Sequence, residues 1–148
     1  MKIKKAYYLT ATILILLAGC DRGLPTEPEG GYQIESVILD GNKTGMFKVT
    51  GAINDQGIME GEPLPVEEGA GTRVVRYRMF ISEKGFEHGF IAVRIEGHYG
   101  SDGSYLVEGF FNVLESSGPY ADVQKQGTFH ALLDENDRPV EYFSGRLH

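Results

Sequence analysis

The chain has 148 residues, 41% hydrophobic and 11% aromatic, enough for one domain with a buried core. Its formal net charge is −7, and because every acidic residue follows Cys20, the portion beyond that cysteine carries 11 Lys and Arg against 21 Asp and Glu. Such a balance repels phosphate backbones, so nucleic acid is not an expected partner, and a single cysteine leaves no disulfide within the chain.

Lys2, Lys4 and Lys5 precede an uncharged run from Ala6 to Gly19 that ends at Cys20. A basic start followed by a short apolar run is the layout of a secretory signal, and the run falls short of the about 20 residues a helical membrane span needs. Leu17-Ala18-Gly19-Cys20 resembles the lipobox of bacterial lipoproteins. The resemblance implies a signal peptide over residues 1–19 and a Cys20 that becomes the acylated N-terminus, with a thioether-linked diacylglycerol and an amide-linked chain such as palmitate. Two or more hydrocarbon chains hold a protein stably on a membrane, so the expected address is the cell envelope, on the periplasmic side of an inner or outer membrane. A signal peptide cut elsewhere, or a retained signal anchor, is the alternative. Asp21 resembles the neighbour that keeps lipoproteins of enteric bacteria in the inner membrane.

Residues 20–31 read as the acylated cysteine and a tether, because Asp21 to Gly31 (DRGLPTEPEGG) holds two prolines and three glycines without apolar periodicity. Fully extended, it spans about 35 Å.

From Tyr32 to His148 the chain alternates apolar and polar residues, with no amphipathic helix, and predicts an all-β domain of antiparallel strands and hairpins. Turn chemistry stands at Asn54-Asp55-Gln56-Gly57, Ser82-Glu83-Lys84-Gly85, Ser101-Asp102-Gly103 and Asp134-Glu135-Asn136-Asp137. Gly51, Gly97, Gly109, Gly127 and Gly145 each sit between large residues of like parity, apart from Lys125 beside Gly127. Glycines repeated on an inward face mark places where strands bend or approach closely, as closing a barrel demands. Gly45-x-Phe47-x-Val49-x-Gly51 parallels Gly103-x-Tyr105-x-Val107-x-Gly109, either as an internal repeat or as ordinary strand chemistry.

Placing the glycine face inward collects Phe47, Val49, Ile53, Val75, Tyr77, Met79, Ile81, Ile91, Val93, Ile95, Tyr99, Tyr105, Val107, Phe111, Val113, Phe129, Ala131 and Leu133. The predicted interior is apolar and holds no ionisable group except tyrosine. It is either a filled core or a cavity lined by Tyr77, Tyr99, Tyr105 and Phe111. The outer face then takes Lys48, Arg76, Arg78, Arg94, Glu96, His98, Glu108, Asn112 and His130, together with Phe80, Phe90, Leu106, Phe110, Leu114 and Leu132. Phe80, Phe90 and Phe110 would form an interface with a partner or a second copy, unless a register slip exchanges the faces of a strand.

Chemistry-bearing motifs are sparse: there is no Gly-x-Ser-x-Gly elbow, no His-Glu-x-x-His and no glycine loop opening a helix. The four histidines lack metal-ligand spacing, so neither metal nor cofactor is expected, and no catalytic residue is assigned. Glu96 and His98 share a strand face and could pair as acid and base. The acidic loop from Glu60 to Gly71 either covers a barrel mouth or lies in solvent.

The stretch Gly118-Pro119-Tyr120-Ala121-Asp122-Val123 followed by Gly127-Thr128-Phe129 resembles a recurring segment of allene oxide cyclase-like and dirigent-like barrels. The resemblance covers about the last third of the chain. It implies a closed, calycin-type antiparallel barrel of about eight strands, often trimeric, with an apolar cavity. Val123 replaces a glycine usual in that segment, and no catalytic residue of those families has a counterpart in this sequence. The expectation is therefore a membrane-anchored lipoprotein that binds a small apolar or amphipathic ligand in its barrel. An interaction module working through its outer face is the alternative, and a cyclase-like or isomerase-like enzyme the third.

Overall fold

A computed structural model describes residues 29–40, 43–63, 73–99 and 107–148. Cys20, the run before it, the tether up to residue 28, Tyr105 and Leu106 lie outside the described residues.

The strands are β1 (Gly31–Asp40), β2 (Thr44–Gly51), β3 (Asp55–Pro63), β4 (Arg73–Ser82), β5 (Phe90–Tyr99), β6 (Val107–Ser116), β7 (Gln126–Leu133) and β8 (Pro139–Arg146). Each pairs antiparallel with the next, and β8 returns to β1 with Val37 opposite Val140 and Gly31 opposite Arg146. The protein is thus an all-β closed barrel of eight antiparallel strands in simple meander order, and closure leaves no free strand edge.

Alternation drives the interior. Ile34, Phe47, Val49, Met59, Phe80, Ile91, Val93, Ile95, Val107, Phe111, Phe129, Ala131 and Phe143 are all buried. Phe143 sits at the centre of an aromatic cluster, its ring centroid 5.1 Å from Phe80, 5.6 Å from Phe111 and 5.0 Å from Phe129, while Phe80 meets Phe47 edge-on at 5.2 Å. These edge-to-face contacts fill the middle of the barrel with rings rather than solvent.

On β4 the two faces are exchanged relative to the sequence expectation. Tyr77, Met79 and Ile81 face outward and are half-buried, whereas Val74, Arg76, Arg78, Phe80 and Ser82 point inside. Both faces of Arg73-Val-Val-Arg-Tyr-Arg-Met-Phe-Ile-Ser carry apolar residues, so alternation within the strand does not choose between them. Two contacts across the barrel decide it: Phe80 completes the aromatic cluster, and Glu141 on β8 receives both arginines.

The end where β1 begins is closed by the β6–β7 connection, which carries the only helical turn among the described residues, the 3₁₀ helix Gly118–Tyr120. Tyr120 is fully buried and its hydroxyl donates to Asp55 Oδ2 at 2.8 Å, while Ser82 Oγ donates to Asp55 Oδ1 at 3.1 Å. Val123 bridges to Leu147, and the His148 amide donates to the Asp122 carbonyl at 2.9 Å. The opposite end carries the β1–β2, β3–β4, β5–β6 and β7–β8 connections; residues 41–42, 64–72 and 100–106 of these, and with them the Ser101-Asp102-Gly103 turn, lie outside the described residues. The Asp134 to Asp137 turn forms as expected, its Asp134 Oδ1 accepting from the amides of Asn136 at 2.8 Å and Arg138 at 2.9 Å.

Burial raises the pKa of the Tyr32 hydroxyl. Burial, the hydrogen bond to Asp55 and the charges of Asp55 and Tyr32, in that order, raise that of Tyr120. The unfolded chain releases these protons near pH 10 and the folded one does so later, so above that pH the folded state binds more protons than the unfolded state. Stability should therefore be fully present below about pH 10 and fall as pH rises beyond it. Urea unfolding at a series of alkaline pH values checks this, and Tyr120→Phe should flatten the decline.

Candidate functional site

Inside the barrel, between the aromatic cluster and the end opposite the 3₁₀ helix, lies a charged layer. Arg76 and Arg78 leave β4 on the inner face, and Glu141 leaves β8, the strand diametrically opposite in an eight-strand ring. Arg78 binds Glu141 with two donors, Nε to Oε2 at 2.9 Å and Nη2 to Oε1 at 2.9 Å, and Arg76 Nη1 adds a third bond to Oε1 at 3.0 Å. The side chains of Arg78 and Glu141 are 0% exposed, and that of Arg76 is 5% exposed.

The surroundings are shaped for these groups. Gly61 stands opposite Arg78 in the β3–β4 ladder, and a Cβ there would come within 2.8 Å of an Arg78 guanidinium nitrogen and collide with the Tyr77 carbonyl oxygen. Glycine on β3 is what leaves the space that the guanidinium occupies. Arg78 Nη1 also donates to the Tyr77 carbonyl at 3.2 Å, and Arg76 Nη2 reaches the Tyr99 hydroxyl at 3.3 Å. Ser36 is opposite Glu141 in the β1–β8 ladder, fully buried, with a hydroxyl that has no hydrogen-bond partner among the described residues.

Of the expected cavity residues, the structure brings Tyr99 to this layer, at the rim and 38% exposed. Phe111 belongs to the aromatic cluster, Tyr105 is outside the described residues, and Tyr77 stands on the outer wall. There, partial burial and then the carboxylates of Glu115, Glu62 and Glu60 raise its hydroxyl pKa. The expectation of an interior without charge is corrected by Arg76, Arg78 and Glu141. Glu141 was legible from its parity with Phe143 and Gly145, whereas the arginines required the orientation of β4.

The expected interface residues separate as well. Phe80 is 0% exposed, because its ring belongs to the core, and Phe90 is covered by Phe86, stacked at 4.2 Å; Phe110 stands outside at 57% exposure. The continuous apolar surface lies elsewhere, along a register row Val37–Met46–Ile58–Ile81–Phe90 that crosses β1 to β5 and ends at Phe86.

Among the described residues no group of three or more His, Cys, Asp and Glu could hold a metal ion, and no helix is long and apolar enough to cross a membrane. No family model, curated protein or solved structure matches the chain.

Removing one partner of a buried ion pair strands the other, so Glu141→Gln should lower unfolding free energy by about 3–5 kcal/mol. Replacing Arg76, Arg78 and Glu141 together by methionine should be close to neutral, since desolvation of the ions disappears with their attraction. Urea denaturation of the two variants beside the parent protein checks both expectations.

Proposed function

We propose that the chain is an envelope lipoprotein, anchored through acylated Cys20, whose barrel holds an amphipathic small molecule at the Arg76–Arg78–Glu141 layer. The anchor reading is supported by the basic start, the short uncharged run and Leu17-Ala18-Gly19-Cys20. The binding reading is carried by one observation: three charged side chains are buried inside a small barrel. Apolar residues of similar volume would serve folding as well or better, and clustered, buried ionisable groups are characteristic of binding sites. The polar head of the ligand would meet Arg76 and Tyr99 at the rim of the charged layer. The filled middle of the barrel limits how deep a ligand sits, which favours a short apolar part over a long acyl chain.

The test is native mass spectrometry of the full chain purified from the envelope of its own host. The expected result is extra mass that leaves on denaturation and is missing from the triple methionine variant while its circular dichroism stays that of a folded barrel. A bare protein mass, or an adduct retained by the variant, overturns the reading.

A second reading, self-association through the outer wall, is favoured by the apolar row, in which Met46 is 62%, Ile58 51% and Phe86 52% exposed. Surface of this kind is rarely left wet on a monomer. Ile58→Glu should lower the mass seen in sedimentation equilibrium to that of a single chain; a parent protein already monomeric removes this reading.

A further inference from the structure

The outer wall of β5, β6 and β7 carries a groove of about 490 Å³. Its floor is the main chain of Gly97, Gly109 and Phe129, which face one another in register. At Gly109 the strands approach so closely that a Cβ would collide with the Glu96 carbonyl oxygen and the Gly97 Cα. One rim is the row Arg73–His98–Glu108–His130 and the other is Glu96–Phe110–Thr128, each again in register. The rims are two residues apart along each strand, about 7 Å, so the groove is a narrow channel running across the strands.

The rims are held in place before any ligand arrives. Glu96 is bound by Arg73 at 3.2 Å and by Arg94, and Glu108 Oε1 lies 3.6 Å from His130 Nε2. Both guanidinium groups engage Glu96, and Glu108 faces His130, so each rim carboxylate already has a partner and the channel presents no isolated charge to an ionic ligand. It instead presents many short-range donors and acceptors beside one bare ring, Phe110, 57% exposed. An extended peptide would gain its affinity by adding to a sheet edge, and the closed barrel offers none.

We propose that this groove binds a neutral oligosaccharide. The hydroxyls of a sugar chain exchange hydrogen bonds with Glu108, His98, His130 and Thr128, and the C–H face of one residue packs on the ring of Phe110. The dimensions suit a few linked sugar rings laid across the three strands. The site is separate from the charged layer inside the barrel, so either can fail without the other.

The experiment is an amide chemical-shift titration of the full chain with maltotriose and with tri-N-acetylchitotriose, using inorganic phosphate and spermidine as charged comparisons. The expected result is that at least one oligosaccharide moves the amides of residues 96–98, 108–110 and 128–130, with a dissociation constant on the order of 1 mM. Phe110→Ala, an exposed position, should weaken binding about tenfold, and Glu108→Gln should weaken it too, while Phe86→Ala, beside the far end of β5, leaves it unchanged. A titration silent for both oligosaccharides, equal shifts with phosphate or spermidine, or affinity indifferent to Phe110→Ala overturns the proposal.

Discussion

Glu141 and Arg78 join hands across the inside of the barrel, from β8 to the strand opposite it, and the placement of the remaining interior groups follows from that contact. Its three hydrogen bonds, with Arg76 included, lie directly beside the ring contact between Phe80 and Phe143, which spans the same two strands. Together they fix which face of β4 looks inward. An ion pair alone would be a weak reason for a strand to choose a face, because desolvation offsets most of its attraction. Supported by the full ring of Phe80 packed against those of Phe47 and Phe143, the orientation becomes decisive.

Closure of the sheet explains why the choice is all or none. Every strand of a closed barrel has one face in a space of fixed size, and turning one strand over would exchange Phe80 and two arginines for Tyr77, Met79 and Ile81. The interior is consequently layered along its axis. Tyr120 and the connection carrying it close one end, the phenylalanines fill the middle, and the charged groups with Ser36 and Tyr99 occupy the other end. The polar layer faces the end that carries four inter-strand connections.

The outer wall is divided in a comparable way. Its apolar row crosses β1 to β5, whereas the wall over β5 to β7 carries charged and aromatic side chains around a glycine floor. Closing the barrel removes the edge through which a sheet usually recruits a partner, so recognition by this protein has to use side chains at an opening or on a wall. Three such places stand out in the structure: the interior layer, the apolar row and the groove.

Alternation from Tyr32 onward, turn residues at regular spacing and glycines of shared parity determined by themselves that the domain is an antiparallel β structure with reason to close. They also placed Ile91, Val93, Ile95, Val107, Phe111 and Phe129 inside, because each of those strands has one clearly apolar face. Only the tertiary structure decided β4, where both faces carry large apolar residues and the deciding partners, Glu141 and Phe143, lie some sixty residues away. The same is true of the groove. Glu96 and His98 are neighbours in sequence, but Glu108, Phe110 and His130 join them only through the register of three strands, which no local pattern specifies.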